Sequence, residues 1–344
     1  MISIKCFKGL PIDFESFLIE KYDSYITTCR YVEIYYPTYD INYMLVYKNG
    51  GLNDVLIFGN NGNTCTSFNS LVNIDQDTVN EFTKKIFENF PAIKKIKIAA
   101  SYNNYVLNKS FLFSKSSDFI LDLPSTMEAY FLELGSKTRK HSKNYKSKLL
   151  RDYSGVKFIT KIGKEIEENT IDKIIQLNFN RMKSKGIIPG KDHTDTNDFY
   201  KYSQHYGCVS YIEIEGVIVA GCLSYILNKR IFLYIIAHDN NFSRYNVGQL
   251  CILNLIQISI EKGLSTFHFL WGENEYKIRL FAKPHLLFSY VIFRAYSLDF
   301  IISNLNAMFS RILMSIRLSN YSKPLRNAIK SYRIRNSKEK ISFS

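Results

Sequence analysis

The 344 residues include only one Trp, and the six cysteines, Cys6, Cys29, Cys65, Cys208, Cys222 and Cys251, stand far apart with no CxxC pair and no His at zinc spacing. That excludes a disulfide framework and a structural zinc site, and the thiols read as buried, unpaired groups of a reducing compartment. No metal is expected. Long apolar runs are missing too: no stretch reaches the roughly 18 unbroken apolar residues that a membrane span needs. The N-terminus, MISIKCFKGLPIDFESF, has acids and Pro where a signal peptide needs an apolar core. A cytoplasmic protein is the expectation. Acids are absent where bases are densest: Lys137, Arg139, Lys140, Lys143, Lys146, Lys148 and Arg151 follow one another with no acid between. From Arg311 to the end there are nine basic residues and one acid, Glu339. These two segments account for the whole net charge of +14 and leave the rest of the chain close to neutral.

What is present is a globular composition: 46% hydrophobic residues, with 25 Tyr and 25 Phe. At about 150 residues per domain the length suggests two domains, each able to bury a core. Tyr43 to Tyr47 and Leu52 to Phe58 read as strands around an Asn49-Gly50-Gly51 turn, followed by a helix from about Gln76 to Phe90 and a strand from Ile93 to Ala99. The second half repeats that order more strongly. Val209 to Ile214, Val217 to Leu227 and Ile231 to Ala237 are strands, Val247 to Lys262 a helix ended by Gly263, and Thr266 to Leu270 the next strand. Between the halves, Pro124-Ser125 opens a helical segment through Leu150, and Ile171, Ile174, Ile175 and Phe179 mark another helix.

The joint SRYNVGQL, Ser243 to Leu250, lies where a strand gives way to a helix. A helix N-terminus presents unpaired N–H groups and partial positive charge, and a Gly there lets an anion approach the backbone. Asn246 suits the N-cap and Arg244 adds a cation just ahead of it. A plain alternative is that Asn246 only caps, Gly248 only permits close packing, and Arg244 is solvated.

Together with LGSKTRKHSKNYKSKLL (Leu134 to Leu150), EGVIVAGCLSYILNKRIFLYIIAHD (Glu215 to Asp239), NVGQLCILNLIQISIEKG (Asn246 to Gly263) and FHFLWGENEYK (Phe267 to Lys277), this joint resembles the GNAT acyltransferase superfamily. Within it the chain looks like the cellulose-biosynthesis and exopolysaccharide group, relatives of the Fem-type aminoacyltransferases. The resemblance implies an α/β (α+β) fold of two GNAT-like lobes, each a mixed, mainly antiparallel sheet flanked by helices. It implies a degenerate N-terminal lobe over 1–124, a catalytic lobe over 125–297, and an amphipathic helix with a basic tail over 298–344. The first lobe reads as degenerate because Val72 to Asp77, which lead into its helix, have no Arg-Asn-Gly joint.

The implied chemistry is acyl transfer, with acetyl-CoA as the expected donor, to the amine of an amino sugar or lipid-linked sugar in bacterial surface-polysaccharide synthesis. Arg244, Asn246, Val247, Gly248 and Gln249 would hold the donor's pyrophosphate. Arg244 lies four residues before Gly248, and Leu250 occupies the last small position of the superfamily's loop. The backbone of Ala237 to Asp239 would receive the thioester oxygen, with Tyr276 as acid, Glu273 and His238 as candidate bases, and Lys277 positioning an anionic substrate group. Each has a structural alternative: Tyr276 in the core, His238 as a satisfied strand end, Glu273 in a solvated turn, Lys277 on the surface. His268 stands where relatives commonly carry an Asp. Other readings stay open: a tRNA-dependent aminoacyltransferase, in which the basic run from Lys137 meets tRNA, a sugar O-acyltransferase, or a non-enzymatic nucleic-acid-binding protein. In the tail, Leu298, Ile301, Ile302, Leu305, Met308, Phe309 and Ile312 recur at helical spacing ahead of Arg326, Lys330, Arg333 and Arg335. That pattern suits peripheral contact with the inner face of the plasma membrane, or simply a helix packed on the body.

Overall fold

The computed structural model describes residues 2–188, 190–272, 274–295, 300–302 and 305. The first six strands are β1 (Ile2–Lys8), β2 (Asp40–Lys48), β3 (Gly51–Asn61), β4 (Thr64–Ser67), β5 (Lys95–Ser101) and β6 (Ser110–Asp122). They are followed by β7 (Val156–Ile162), β8 (Gly207–Ile214), β9 (Val217–Leu227), β10 (Arg230–His238), β11 (Thr266–His268) and β12 (Lys283–Phe293). The helices are α1 (Glu15–Tyr22), α2 (Cys29–Tyr35), α3 (Gln76–Asn89), α4 (Met127–Glu133), α5 (Ser136–Asp152), α6 (Glu168–Ser184), α7 (Thr196–Tyr206), α8 (Val247–Glu261) and α9 (Glu275–Arg279).

Contacts divide the chain into two compact units. One comprises residues up to Leu10, Thr38–Lys115 and the described residues from Phe288 on; the other comprises Pro11–Pro37 and Ser116–Leu287. In the first unit the strands run in the order β1-β2-β3-β4-β5-β12. All neighbours are antiparallel except β4 and β5, which α3 joins as a parallel crossover. Asn49 and Gly50 both have positive φ, 51° and 85°, which matches the twist of a tight hairpin between β2 and β3. Asp75 caps α3, accepting from Thr78 N at 2.9 Å, and Val79, Phe82 and Ile86 bury one stripe of that helix.

The second unit repeats the plan in the order β6-β11-β10-β9-β8-β7. Here β10 and β11 are the parallel pair and α8 the crossover, while the other neighbours are antiparallel. Both units are therefore mixed, mainly antiparallel sheets flanked by helices. Glu215 and Gly216 form the β8–β9 hairpin with positive φ, 51° and 82°. A Cβ on Gly221 of β9 would come within 2.4 Å of Ile174 Cγ1 of α6, so only glycine lets that helix lie so close. The next residue, Cys222, meets Cys251 of α8. Adjacent strand residues point to opposite faces, which puts α6 and α8 on opposite sides of the sheet.

Two expectations are corrected here. The helical segment from Pro124 to Leu150 is two helices, α4 and α5, broken at Leu134-Gly135, where Leu134 takes an extended conformation (ψ 139°). The N-terminal lobe does not hold Pro11–Pro37, which packs in the second unit through tyrosines. Tyr25 stacks on Tyr225 of β9 at 5.2 Å, Tyr202 of α7 meets Tyr225 edge-on at 4.8 Å, and Tyr202 Oη donates to the Tyr25 carbonyl at 2.6 Å. Residues 116–122 also belong to the second unit, since the end of β6 pairs with β11. Apart from residues 300–302 and 305, the segment 298–344 lies outside the described residues. Among the described residues no helix is long and apolar enough to cross a membrane.

Candidate active site

The second unit opens where its parallel strands part. β10 pairs with β11 only from Arg230 to Phe232, while its other edge stays on β9 as far as His238, past an irregularity between Leu233 and Ile235. Beyond Phe232, the β11-facing edge of β10 has no strand partner among the described residues. Backbone groups freed in this way need other partners. The Ile236 carbonyl finds one in Arg181 of α6, whose Nη2 donates to it at 3.2 Å.

His238 ends β10 against the first turn of α8. A Cβ built on Gly248 would lie 3.0 Å from His238 Nδ1, so the glycine makes room for the imidazole. That Nδ1 atom is buried and has no hydrogen-bond partner among the described residues. Burial, reinforced by the charges of Arg181 and Lys185, holds the imidazole down at about 4, so the ring is neutral at pH 7.

No side chain caps α8. Asn246 occupies the N-cap position in the left-handed conformation (φ 48°, ψ 43°) and does not cap as its type suggested. Its Nδ2 donates instead to Gln249 Oε1 at 2.7 Å, and Gln249 Nε2 donates to Ser142 Oγ of α5 at 3.0 Å. Uncapped first-turn N–H groups beside a glycine suit an anion. Val247 and Gly248 are both buried, Val247 completely. Arg244 is exposed, but its guanidinium stacks 4.7 Å from the Tyr245 ring and bonds the Tyr245 hydroxyl. Tyr245 in turn donates to Asp152 at 3.0 Å. The residues assigned to donor binding thus come together at the α8 terminus, with Arg244 held beside it.

Tyr276 lies on α9, half-buried, 6.2 Å from Phe269 in an edge-on contact. Burial and the neighbouring Cys222 push its hydroxyl up to about 12, against the opposing pull of Arg181, so it keeps its proton at neutral pH. Glu273 lies outside the described residues.

Lys277 is not a substrate-facing cation. The residue is 2% exposed, and its Nζ donates to the carbonyls of Phe269, Leu270 and Trp271 at 3.0, 2.8 and 2.9 Å. All three ammonium protons are used in tying α9 to the end of β11, which leaves none for a ligand. His268 is buried as well: Nδ1 sits 2.7 Å from Asp118 Oδ2 and Nε2 3.2 Å from Thr266 Oγ1.

Sequence reading missed Arg181 and Lys185. Their only local signal was position, at the end of a helix marked by Ile171, Ile174 and Ile175. Nothing in that spacing says that Arg181 reaches across to β10. The basic run keeps its place on α5, with Ser142 and Leu149 buried. None of Lys137, Lys140, Lys143 and Lys146, all exposed, pairs with a carboxylate among the described residues. Among those residues no group of three or more His, Cys, Asp or Glu is placed to hold a metal ion.

Residues 136–278 match the family described as an acetyltransferase (GNAT) domain. No curated protein matches the chain. Among solved structures, FemX is similar at 9% identity and a TM-score of 0.65, covering 87% of this chain and 100% of that one. The C-terminal domain of a putative lysylphosphatidylglycerol synthetase from Agrobacterium fabrum is 12% identical with a TM-score of 0.55, covering 86% of this chain and 95% of that one. L-PGS from Bacillus licheniformis is 12% identical with a TM-score of 0.53, covering 88% of this chain and 97% of that one. At such identities the likeness is one of fold.

Proposed function

We propose that this protein is an N-acyltransferase that moves an acyl group, acetyl in the simplest case, from coenzyme A to an amine. One arrangement carries the reading: a neutral imidazole packed on Gly248 and a protonated phenol lie by two parting parallel strands, beside a helix N-terminus that no side chain caps. The match of residues 136–278 to the acetyltransferase domain supports it. First-turn backbone N–H groups at a helix N-terminus without a side-chain cap suit a phosphate, so Val247, Gly248 and Gln249 are assigned to the donor.

The donor supplies an activated thioester. The unpaired edge of β10 offers backbone N–H groups for its carbonyl oxygen. As the amine adds, a C–N bond forms and the C–S bond breaks. His238, directly or through water, accepts the proton lost by the nitrogen, and Tyr276 gives its proton to the departing thiolate. Lys277 acts at one remove by tying α9, which carries Tyr276, to the segment that follows β11.

The acceptor we assign is an amino sugar or lipid-linked sugar of surface-polysaccharide synthesis, worked on at the inner face of the plasma membrane. This rests on the sequence stretches that resemble the cellulose-biosynthesis and exopolysaccharide group. One observation favours a second reading: Lys137, Lys140, Lys143 and Lys146, with no carboxylate partner among the described residues, lie on α5, which Ser142 joins to the α8 terminus through Gln249. That fits a polyanionic donor such as aminoacyl-tRNA. Thermal-shift titrations with acetyl-CoA, aminoacyl-tRNA and bulk RNA separate the cases. Stabilisation by acetyl-CoA alone supports the first, by aminoacyl-tRNA alone the second, and by any RNA equally a plain nucleic-acid-binding protein. Mass spectrometry of the surface polysaccharide with and without the gene then tests the acceptor, and a loss of N-acyl groups is the expected result.

A further inference from the structure

Arg181 and Lys185 are two cations at the C-terminal end of α6, and among the described residues neither has an acidic partner. Arg181 is half-buried, and its Nε is fully buried with no hydrogen-bond acceptor among the described residues. Cations often gather at helix C-termini to meet the last carbonyls. Arg181 does otherwise: it extends across to the Ile236 carbonyl on the released edge of β10. Among the described residues three polar groups thus gather with Asp239 as the one acid acting on the imidazole: Arg181 Nε, the Lys185 ammonium and His238 Nδ1. Arg181 is half-buried and Lys185 exposed; an anion relieves the repulsion between two such cations, and the guanidinium fork suits a carboxylate or phosphate.

We propose that Arg181 and Lys185 form a docking site for an anionic group, a carboxylate or phosphate, carried by the substrate that is acylated beside His238. The proposal rests on the acyl-transfer reading for its chemistry, but the anion site is a separate claim. It has a mechanistic consequence. In the free protein the two cations help to keep His238 a weak proton acceptor. An anion seated between them cancels that repulsion, so an anionic acceptor strengthens its own base and a neutral amine does not. Among the described residues the other charged group acting on the ring is Asp239 on the following turn, which favours its protonation, while Tyr276 on α9 senses Arg181 and Cys222.

The test needs no turnover. The His238 ring is followed by NMR while pH is varied, with sodium phosphate, sodium acetate, or sodium chloride at matched ionic strength. The same titration is run with glucosamine 6-phosphate, glucosaminuronic acid and glucosamine, which tells phosphate from carboxylate on an amine. In the wild type, phosphate or carboxylate ligands should raise the His238 midpoint by about one pH unit or more, while chloride and glucosamine leave it in place. In Arg181→Gln and Lys185→Gln the midpoint should start higher and respond at least tenfold more weakly to the anion, and Arg181→Lys should keep part of the response. Equal responses in wild type and variants, or no response to any anion, overturn the proposal. Calorimetry with acetyl-CoA on the same proteins reports folding and donor binding. If anions move His238 but acetyl-CoA does not bind the wild type, the CoA reading fails and the anion site stands. If acetyl-CoA binds and no anion moves His238, the anion site alone fails.

Discussion

Two neighbours on α9 show how burial and partners, more than residue type, assign a role. Tyr276 keeps a proton that it can give, because burial raises its hydroxyl to about 12. Tyr276→Phe should lower kcat about a hundredfold or more with little change in KM for the acyl donor, since a proton donor acts mainly in the transition state. Wild-type turnover in that variant would leave Tyr276 a packing residue. Lys277, one position on, has its ammonium spent on three carbonyls. Lys277→Met would strand those acceptors in the interior and should cost about 2–4 kcal/mol of stability. Urea unfolding measures this, and a loss below about 1 kcal/mol would argue that the clamp is dispensable. Sequence gave both residues the same aromatic-basic signal. Only burial separates them.

At the scale of elements, α8 is the informative one. Its apolar residues announce a buried crossover helix, and the structure places it there with Val247, Cys251, Leu255 and Ile256 buried. The Gly at its start was legible as a place of close approach, but the object approached was not. His238 arrives from β10, and its Nδ1 is 3.0 Å from where a side chain at 248 would begin. Gly248→Glu should therefore abolish acetyl-CoA binding, both by displacing His238 and by setting a carboxylate at the helix N-terminus. Calorimetry reads the affinity and circular dichroism the fold; unchanged affinity in a folded variant would remove the donor from this joint. The parting of β10 from β11 was equally hidden. Hydrophobic alternation identifies a strand but does not say where its pairing stops.

For the whole molecule, pH links the site to stability. His238 is held near 4 in the fold against 6.5 for the free side chain, so between those values the unfolded chain binds more protons than the folded one. Its contribution is complete above pH 6.5 and is lost as pH falls towards 4. In His238→Gln, stability should fall less over that window. Denaturant midpoints at pH 7 and pH 4.5 check this, and equal losses in both proteins would place the acid sensitivity elsewhere. The basic tail belongs to this scale too. If it brings the protein to an anionic membrane surface, deleting residues 323–344 should move it from the membrane fraction to the soluble one, and salt should do the same to the intact chain. A full-length protein that ignores vesicles of anionic lipid would end that idea. By itself the sequence determined the repeated strand-helix-strand plan, the hairpin at Glu215-Gly216, the buried α8 and the concentration of charge on α5. These follow from local periodicity, turn geometry and composition, which neighbouring residues carry in full. Tertiary structure alone decided that Pro11–Pro37 packs on Tyr225 and Tyr202, that the first unit takes its last strand from β12, that Lys277 is sealed, and that Arg181 reaches the Ile236 carbonyl of β10. Each of those depends on residues far apart in the chain that become neighbours only when strands pair and aromatic faces close.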